Sequence, residues 1–145
     1  MRFQIRPAVL TARLLAAAGL AVDAYVHADL APQYDAVKAT FSQGGLFRVE
    51  AALAALAALL VLAWRRLPAD VFAWAVAAGG FALIIIYRYV DVGEFGPVPD
   101  MYEPDWFTEK WVAAVAQLVT VAAASFLIVS DLVDIRARRH RTPVR

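Results

Sequence analysis

At 145 residues, with 62% hydrophobic and 19% charged side chains and a mean hydropathy of +0.60, the chain is too apolar for a soluble domain, whose apolar share is about 45–50%. A bilayer is the environment that fits. The absence of cysteine excludes disulfide frameworks, thiolate metal sites and dithiol redox chemistry, and a net charge of +1 gives no support for a nucleic-acid partner.

Taken in order, the sequence predicts an all-α integral membrane four-helix bundle, a single transmembrane domain with N-in and C-in topology. The first span covers about residues 9–29: Arg2, Arg6 and Arg13 precede LLAAAGLAVDAYVHADL, an apolar run interrupted by Asp23 and His27. A cleaved leader is the rival reading, with Val26-His27-Ala28 as its processing site, but Asp23 and Tyr25 fit badly in such a segment. Residues 30–45 are polar and short, an ordinary connection between helices. The second span, 46–64, has Leu53, Leu56 and Leu60 on one face and Glu50, Ala54, Ala57, Ala58 and Val61 on another. Small residues allow helices to approach closely in lipid, so the alanine face should meet its neighbours. Arg65-Arg66-Leu67-Pro68 ends that span. A third covers 71–89, with Ala75 and Gly79 expected as a small-xxx-small contact.

After the loop 90–106, the fourth span, 107–133, places Ala113, Gln117, Thr120 and Ala124 on one side, with Asp105 expected as the helix N-cap. The tail 136–145 is basic and expected to fray. Counting Lys and Arg by compartment sets the sidedness. Arg2, Arg6, Arg13, Arg65, Arg66, Arg136, Arg138, Arg139, Arg141 and Arg145 fall on one side, against Lys38, Arg48, Arg88 and Lys110 on the other. This positive-inside bias puts both termini in the cytoplasm, with the protein multi-pass in the cytoplasmic (inner) membrane.

In that topology the ionisable groups within the spans enter from the outer side at similar depth. Asp23 and His27 are i and i+4 on one helical face, and Glu50, Arg88 and Gln117 lie at matching depth. A charge at mid-membrane costs about 2.5–3.5 kcal/mol on insertion scales, so these groups should pair and face the interior. The plain alternative is a network, Arg88 with Asp23 or Glu50, that only pins the helices. A divalent metal on Asp23, His27 and Glu50 is a further option, since imidazole with carboxylates suits zinc, manganese or iron. Haem does not fit, because His140 lies in the tail far from His27. The loop carries Asp91, Glu94, Asp100, Glu103 and Asp105 among prolines and aromatics. Met101, Tyr102, Glu103 and Trp106 are expected to lie over the polar cluster as a lid.

His27 late in the first span, Gly45-Leu46-Phe47 followed by Glu50, and GPVPDMYEPDWFTEK before the fourth span together resemble small four-span actinobacterial membrane proteins without an assigned activity. Size and topology alone give a looser likeness to DoxX-like proteins. Neither resemblance implies catalytic residues. The leading functional expectation is a binding or accessory protein with an outward-facing pocket for a small ligand, lipid or partner subunit, in the bilayer alone or as a homo-oligomer. A proton-coupled small transporter using Asp23 or Glu50 is the alternative, and a membrane metalloenzyme comes third because no nucleophile with an oriented base is recognisable. His27, Glu50 and Arg88 are expected to act as one coupled unit.

Overall fold

Inside a bilayer every backbone amide must find its partner within its own segment, which leaves the helix as the default for apolar runs of this length. A computed structural model describes residues 7–141. It contains α1 (Pro7–Leu30), prolonged by a short 3-10 turn (Ala31–Tyr34), α2 (Gln43–Ala63), α3 (Leu67–Tyr89) and α4 (Thr108–Arg141). All four helices are long and apolar enough to cross a membrane. Arg2, Arg6 and Arg145, and the tail from 142 onward, lie outside the described residues.

Local chemistry sets the helix ends. Ser42 caps α2, its Oγ accepting from Gly45 N at 2.9 Å, and Pro68 occupies the first turn of α3, where its missing N–H is harmless. Arg65 ends α2 at φ 50°, a left-handed conformation usually left to glycine. Asp105 does not cap α4, in contrast to the sequence-based expectation. The helix begins three residues later, and Asp105 instead offers its carbonyl to Lys110 Nζ at 2.8 Å. Nor does the basic tail fray at Arg136. α4 continues helically to Arg141, and its 34 residues make a rod of about 51 Å, well beyond a hydrocarbon core of about 30 Å. Arginines in the last turns suit both helix propensity and the negative end of the dipole.

Each helix packs against its neighbours in sequence, α4 closes the ring against α1, and the diagonal α1–α3 pair barely touches. Arg13 near the start of α1 lies against Val61 near the end of α2 and Asp70 at the start of α3. At the other end Phe47, Ile84 and Phe107 pack around Val26, Leu30 and Ala113. The helices therefore alternate up and down, and both ends of the described chain emerge at the same end of the bundle.

The core is built largely from alanine: Ala12, Ala16, Ala54, Ala57, Ala73 and Ala123, with Leu20, Val61, Val76 and Leu127. The inward alanine face of α2 and the buried set Ala113, Gln117, Thr120 and Ala124 are as the sequence predicts. α1 approaches α4 closely at Gly19, where an added Cβ would collide with Thr120 Oγ1 and stand 2.7 Å from the Ala116 carbonyl. The small-residue contact of α3 differs from expectation. Ala75 is exposed and Gly79 faces open space, whereas Ala73, Ala77 and Gly80 are buried. Asp70 sets this register, because its pairing with Arg13 turns its face inward and Gly79 lies about 180° away around the helix.

Gly19→Ala should therefore cost about 1–3 kcal/mol as an overpacking change, and Gly79→Ala should be neutral or stabilising by up to about 1 kcal/mol. Thermal unfolding in mild detergent reads both, and equal effects at the two glycines would contradict this packing register.

Candidate functional site

The polar residues of α1, α2 and α4 meet where α3 has no side chain. Asp23 and Gln117 are both fully buried, and Gln117 Nε2 donates to Asp23 Oδ1 at 2.8 Å. His27 sits one turn along α1. Its Nδ1 is 3.0 Å from the Asp23 carbonyl and 3.1 Å from Asp23 Oδ1, and with only acceptors around it that nitrogen carries the proton. Glu50 comes from α2 and directs its carboxyl to the same level, beside Gly80. Gly80 of α3 makes the space: a Cβ there would stand 2.5 Å from Gln117 Nε2 and 2.8 Å from Glu50 Oε1.

Three acceptors in this cluster, Asp23 Oδ2, Glu50 Oε1 and Gln117 Oε1, are buried without a hydrogen-bond partner among the described residues. An unmet buried polar atom costs about 1–3 kcal/mol, so three in one place mark a concentrated shortage of donors. Through His27 and Glu50 the cluster reaches the base of a cavity of about 410 Å³, with Asp23 and Gln117 outside its lining; that volume is within the range of about 300–1,000 Å³ usual for small-molecule sites. His27, Glu50 and Gly80 line its base, Phe47, Leu83 and Ile84 its walls, and Val98, Met101, Glu103 and Phe107 its roof.

The roof is the loop between α3 and α4, and hydrogen bonds fasten it at several points. Glu103 N donates to Tyr87 O at 3.0 Å, and Phe41 N, from the other loop at this end, donates to Pro97 O at 3.0 Å. Lys110 Nζ donates to the carbonyls of Glu103 (2.7 Å) and Asp105 (2.8 Å). Gly96, at φ 58°, permits the tight turn between Phe95 and Val98. On the exposed surface, Arg48 grips Asp35 with two bonds of 2.6 and 2.8 Å. Its guanidinium holds the exposed Asp35 carboxyl below the usual carboxylate range.

Of the four expected lid residues, Met101 and Glu103 line the cavity. Tyr102 is exposed, and Trp106 stacks on Trp111 with ring centroids 4.4 Å apart. Val98 and Phe107 take their places, because the Phe95–Val98 turn folds the loop inward earlier than the aromatic spacing implies. Asp23, His27, Glu50 and Gln117 are brought together, and Arg88 is not. Its guanidinium lies 4.8 Å from the Tyr89 ring and 6.0 Å from the Trp106 ring, held by aromatic faces and not by carboxylates. Among the described residues no three His, Asp or Glu side chains form a metal-binding group, Asp23, His27 and Glu50 included.

A second polar layer at the opposite end is absent from the sequence-based candidates. Arg13, grouped there with the basic flank, is buried. It donates to both carboxylate oxygens of Asp70, at 2.8 and 3.1 Å, and to the Val61 carbonyl at 3.1 Å. Asp131 of α4 lies near this pair. The available signal was that Arg13 falls inside the first apolar run while Asp70 opens the third at the same end of the bundle.

No known protein family matches the chain, and no curated protein or solved structure matches it either. The resemblances to actinobacterial four-span proteins and to DoxX-like proteins gain no support from this. What stands is a four-helix protein whose helices can span a membrane and contact lipid.

Breaking the Arg13–Asp70 pair by Asp70→Asn should destabilise the bundle by about 3–5 kcal/mol, and the apolar double variant Arg13→Met/Asp70→Leu should recover most of that loss. Unfolding in detergent decides it; a double variant worse than the single would contradict the pairing. Arg88→Ala combined with Glu50→Gln should be additive within about 0.3–0.5 kcal/mol, because the two share no partner. Stronger coupling would mean that Arg88 reaches the cluster.

Proposed function

We propose that this chain is a binding or accessory protein of the cytoplasmic membrane, with both termini in the cytoplasm and its cavity open toward the outside beneath the loop 90–106. The observation that carries the reading is the set of three buried acceptors without donors, Asp23 Oδ2, Glu50 Oε1 and Gln117 Oε1, in a cluster that reaches the base of a cavity of about 410 Å³ through Glu50. A polar network built only to pin helices would be satisfied within itself, as Arg13–Asp70 is. One left short of donors at the base of an apolar-walled cavity is suited to a ligand that supplies them. The orientation rests on the arginines. Arg65, Arg66, Arg136, Arg138 and Arg139 belong to the end where the described chain begins and ends, and the opposite end holds Lys38, Arg48, Arg88 and Lys110.

A proton-coupled transporter is the second reading, favoured by the facing carboxyls of Asp23 and Glu50 within the spans. Against it, Arg13 and Asp70 close the other end of the bundle with a buried, bidentate pair, so that ligand entering the cavity meets a floor and not a passage. A partner subunit or a second copy would occupy the lipid-facing surface, not this cavity.

Two measurements test the reading. In the cysteine-free chain, single cysteines at the exposed positions Lys38 and Glu94 should react with an impermeant thiol reagent in intact cells, and cysteines at Pro68 and His140 should not. The reverse pattern would overturn the orientation. Protein extracted in mild detergent should carry a bound small molecule in native mass spectrometry, and Glu50→Gln should lose it. Substrate-driven proton flux in proteoliposomes, abolished by Asp23→Asn, would replace binding with transport.

A further inference from the structure

We propose that the cavity takes an organic monocation, with an ammonium group seated against Glu50, in front of the buried Asp23 and Gln117, and an apolar body lying along Phe47, Ile84 and Phe107. The inference rests on the cavity reading above and adds the chemical class of the ligand. Glu50, which lines the base of the cavity, has an unmet acceptor in Oε1, and the unmet atoms of the cluster behind it, Asp23 Oδ2 and Gln117 Oε1, are acceptors too. They call for a donor with several hydrogens and a positive charge, which an ammonium provides in one group.

The charges facing the cavity have the matching sign. Glu50 lies at the base, with Asp23 outside the lining behind it, and Glu103 is at the roof. The one basic side chain lining the cavity, Lys110, already spends its ammonium on two backbone carbonyls. His27 has its Nδ1 proton committed to Asp23. An anion would meet Glu50 and Glu103 with no free lysine or arginine lining the cavity, and a neutral alcohol would supply a hydrogen bond without balancing the charge.

The walls agree with the floor. Phe47 packs edge-on to His27 at 5.3 Å and against Tyr34 at 5.1 Å between ring centroids, and aromatic faces attract cations more than neutral groups. Outside, Asp91, Glu94, Asp100, Glu103, Asp105 and Glu109 stand against Lys110 alone between residues 91 and 111. Such a field raises the local concentration of cations at the mouth.

Calorimetric titration of the full chain in mild detergent with phenethylammonium, its neutral counterpart phenethyl alcohol and the anion phenylacetate separates these cases. The expected order is phenethylammonium tighter than phenethyl alcohol by at least about tenfold, with phenylacetate not binding. Glu50→Gln should reduce that preference to less than about threefold. Asp23→Asn should do the same where Glu50→Gln fails to fold, and the wild-type comparison needs no variant. Equal binding of ammonium and alcohol, or preference for phenylacetate, would overturn the monocation inference and leave the cavity reading standing. Binding of none of the three would count against the cavity reading itself. A free amine and an ethanolamine lipid headgroup carry the same ammonium chemistry, so the titration is repeated in nanodiscs with and without phosphatidylethanolamine. Competition by that lipid assigns the ammonium to the headgroup, and unchanged binding assigns it to a free amine.

Discussion

The hydrogen bond from Gln117 Nε2 to Asp23 Oδ1 ties α1 to α4 at a depth where the second oxygen of Asp23 and the amide oxygen of Gln117 find no donor. In lipid, apolar surface does not distinguish one neighbour from another, so the register of two helices must come from sterics and polar contacts. Both act here in step. One turn from Asp23, Gly19 admits Thr120 and the Ala116 carbonyl, and Thr120 Oγ1 donates to that carbonyl at 3.0 Å with the Ala16 carbonyl 3.4 Å away. With α1 and α4 locked in this way, Glu50 of α2 and the bare backbone of Gly80 in α3 are brought to the same level. The polar floor follows from that contact.

The bundle carries two buried polar layers that resolve the same physical problem differently. Toward the end where the described chain begins and ends, Arg13 and Asp70 satisfy each other with two parallel hydrogen bonds, and the spare capacity of Arg13 goes to the Val61 carbonyl. A pair of this kind fixes packing and leaves little to recruit from outside. Toward the other end, Asp23, Glu50 and Gln117 keep three oxygens without donors beside a cavity. Native interiors rarely tolerate such groups without a reason, and within a membrane the reason is commonly a ligand, an ion path or a proton. The contrast within one small fold separates the structural layer from the functional candidate.

Much of this was legible in the sequence, for identifiable reasons. The four helices follow from long apolar runs, and the convergence of Asp23, His27, Glu50 and Gln117 follows from helical spacing and equal depth, both properties of single segments or of their common alignment to the bilayer. What failed depended on azimuth or loop path. Arg88 was matched in depth but is drawn aside by the rings of Tyr89 and Trp106. Ala75 and Gly79 have the spacing of a contact but face away, since Asp70 determines which side of α3 turns inward. The loop was readable as a roof, yet its seated residues, Val98 and Phe107 beside Met101 and Glu103, depend on a turn at Gly96 that composition does not locate. Gly80 was invisible as a site residue because its contribution is the absence of a side chain.

The most direct test of the central claim is a double-mutant cycle on Asp23→Leu and Gln117→Leu, read by reversible unfolding in detergent. If the contact between these two side chains sets the register of α1 against α4, each single variant strands a buried polar partner and the double variant relieves it. The coupling energy should then be about 1 kcal/mol or more. Losses that add within about 0.3–0.5 kcal/mol would show two independent sites and contradict the account.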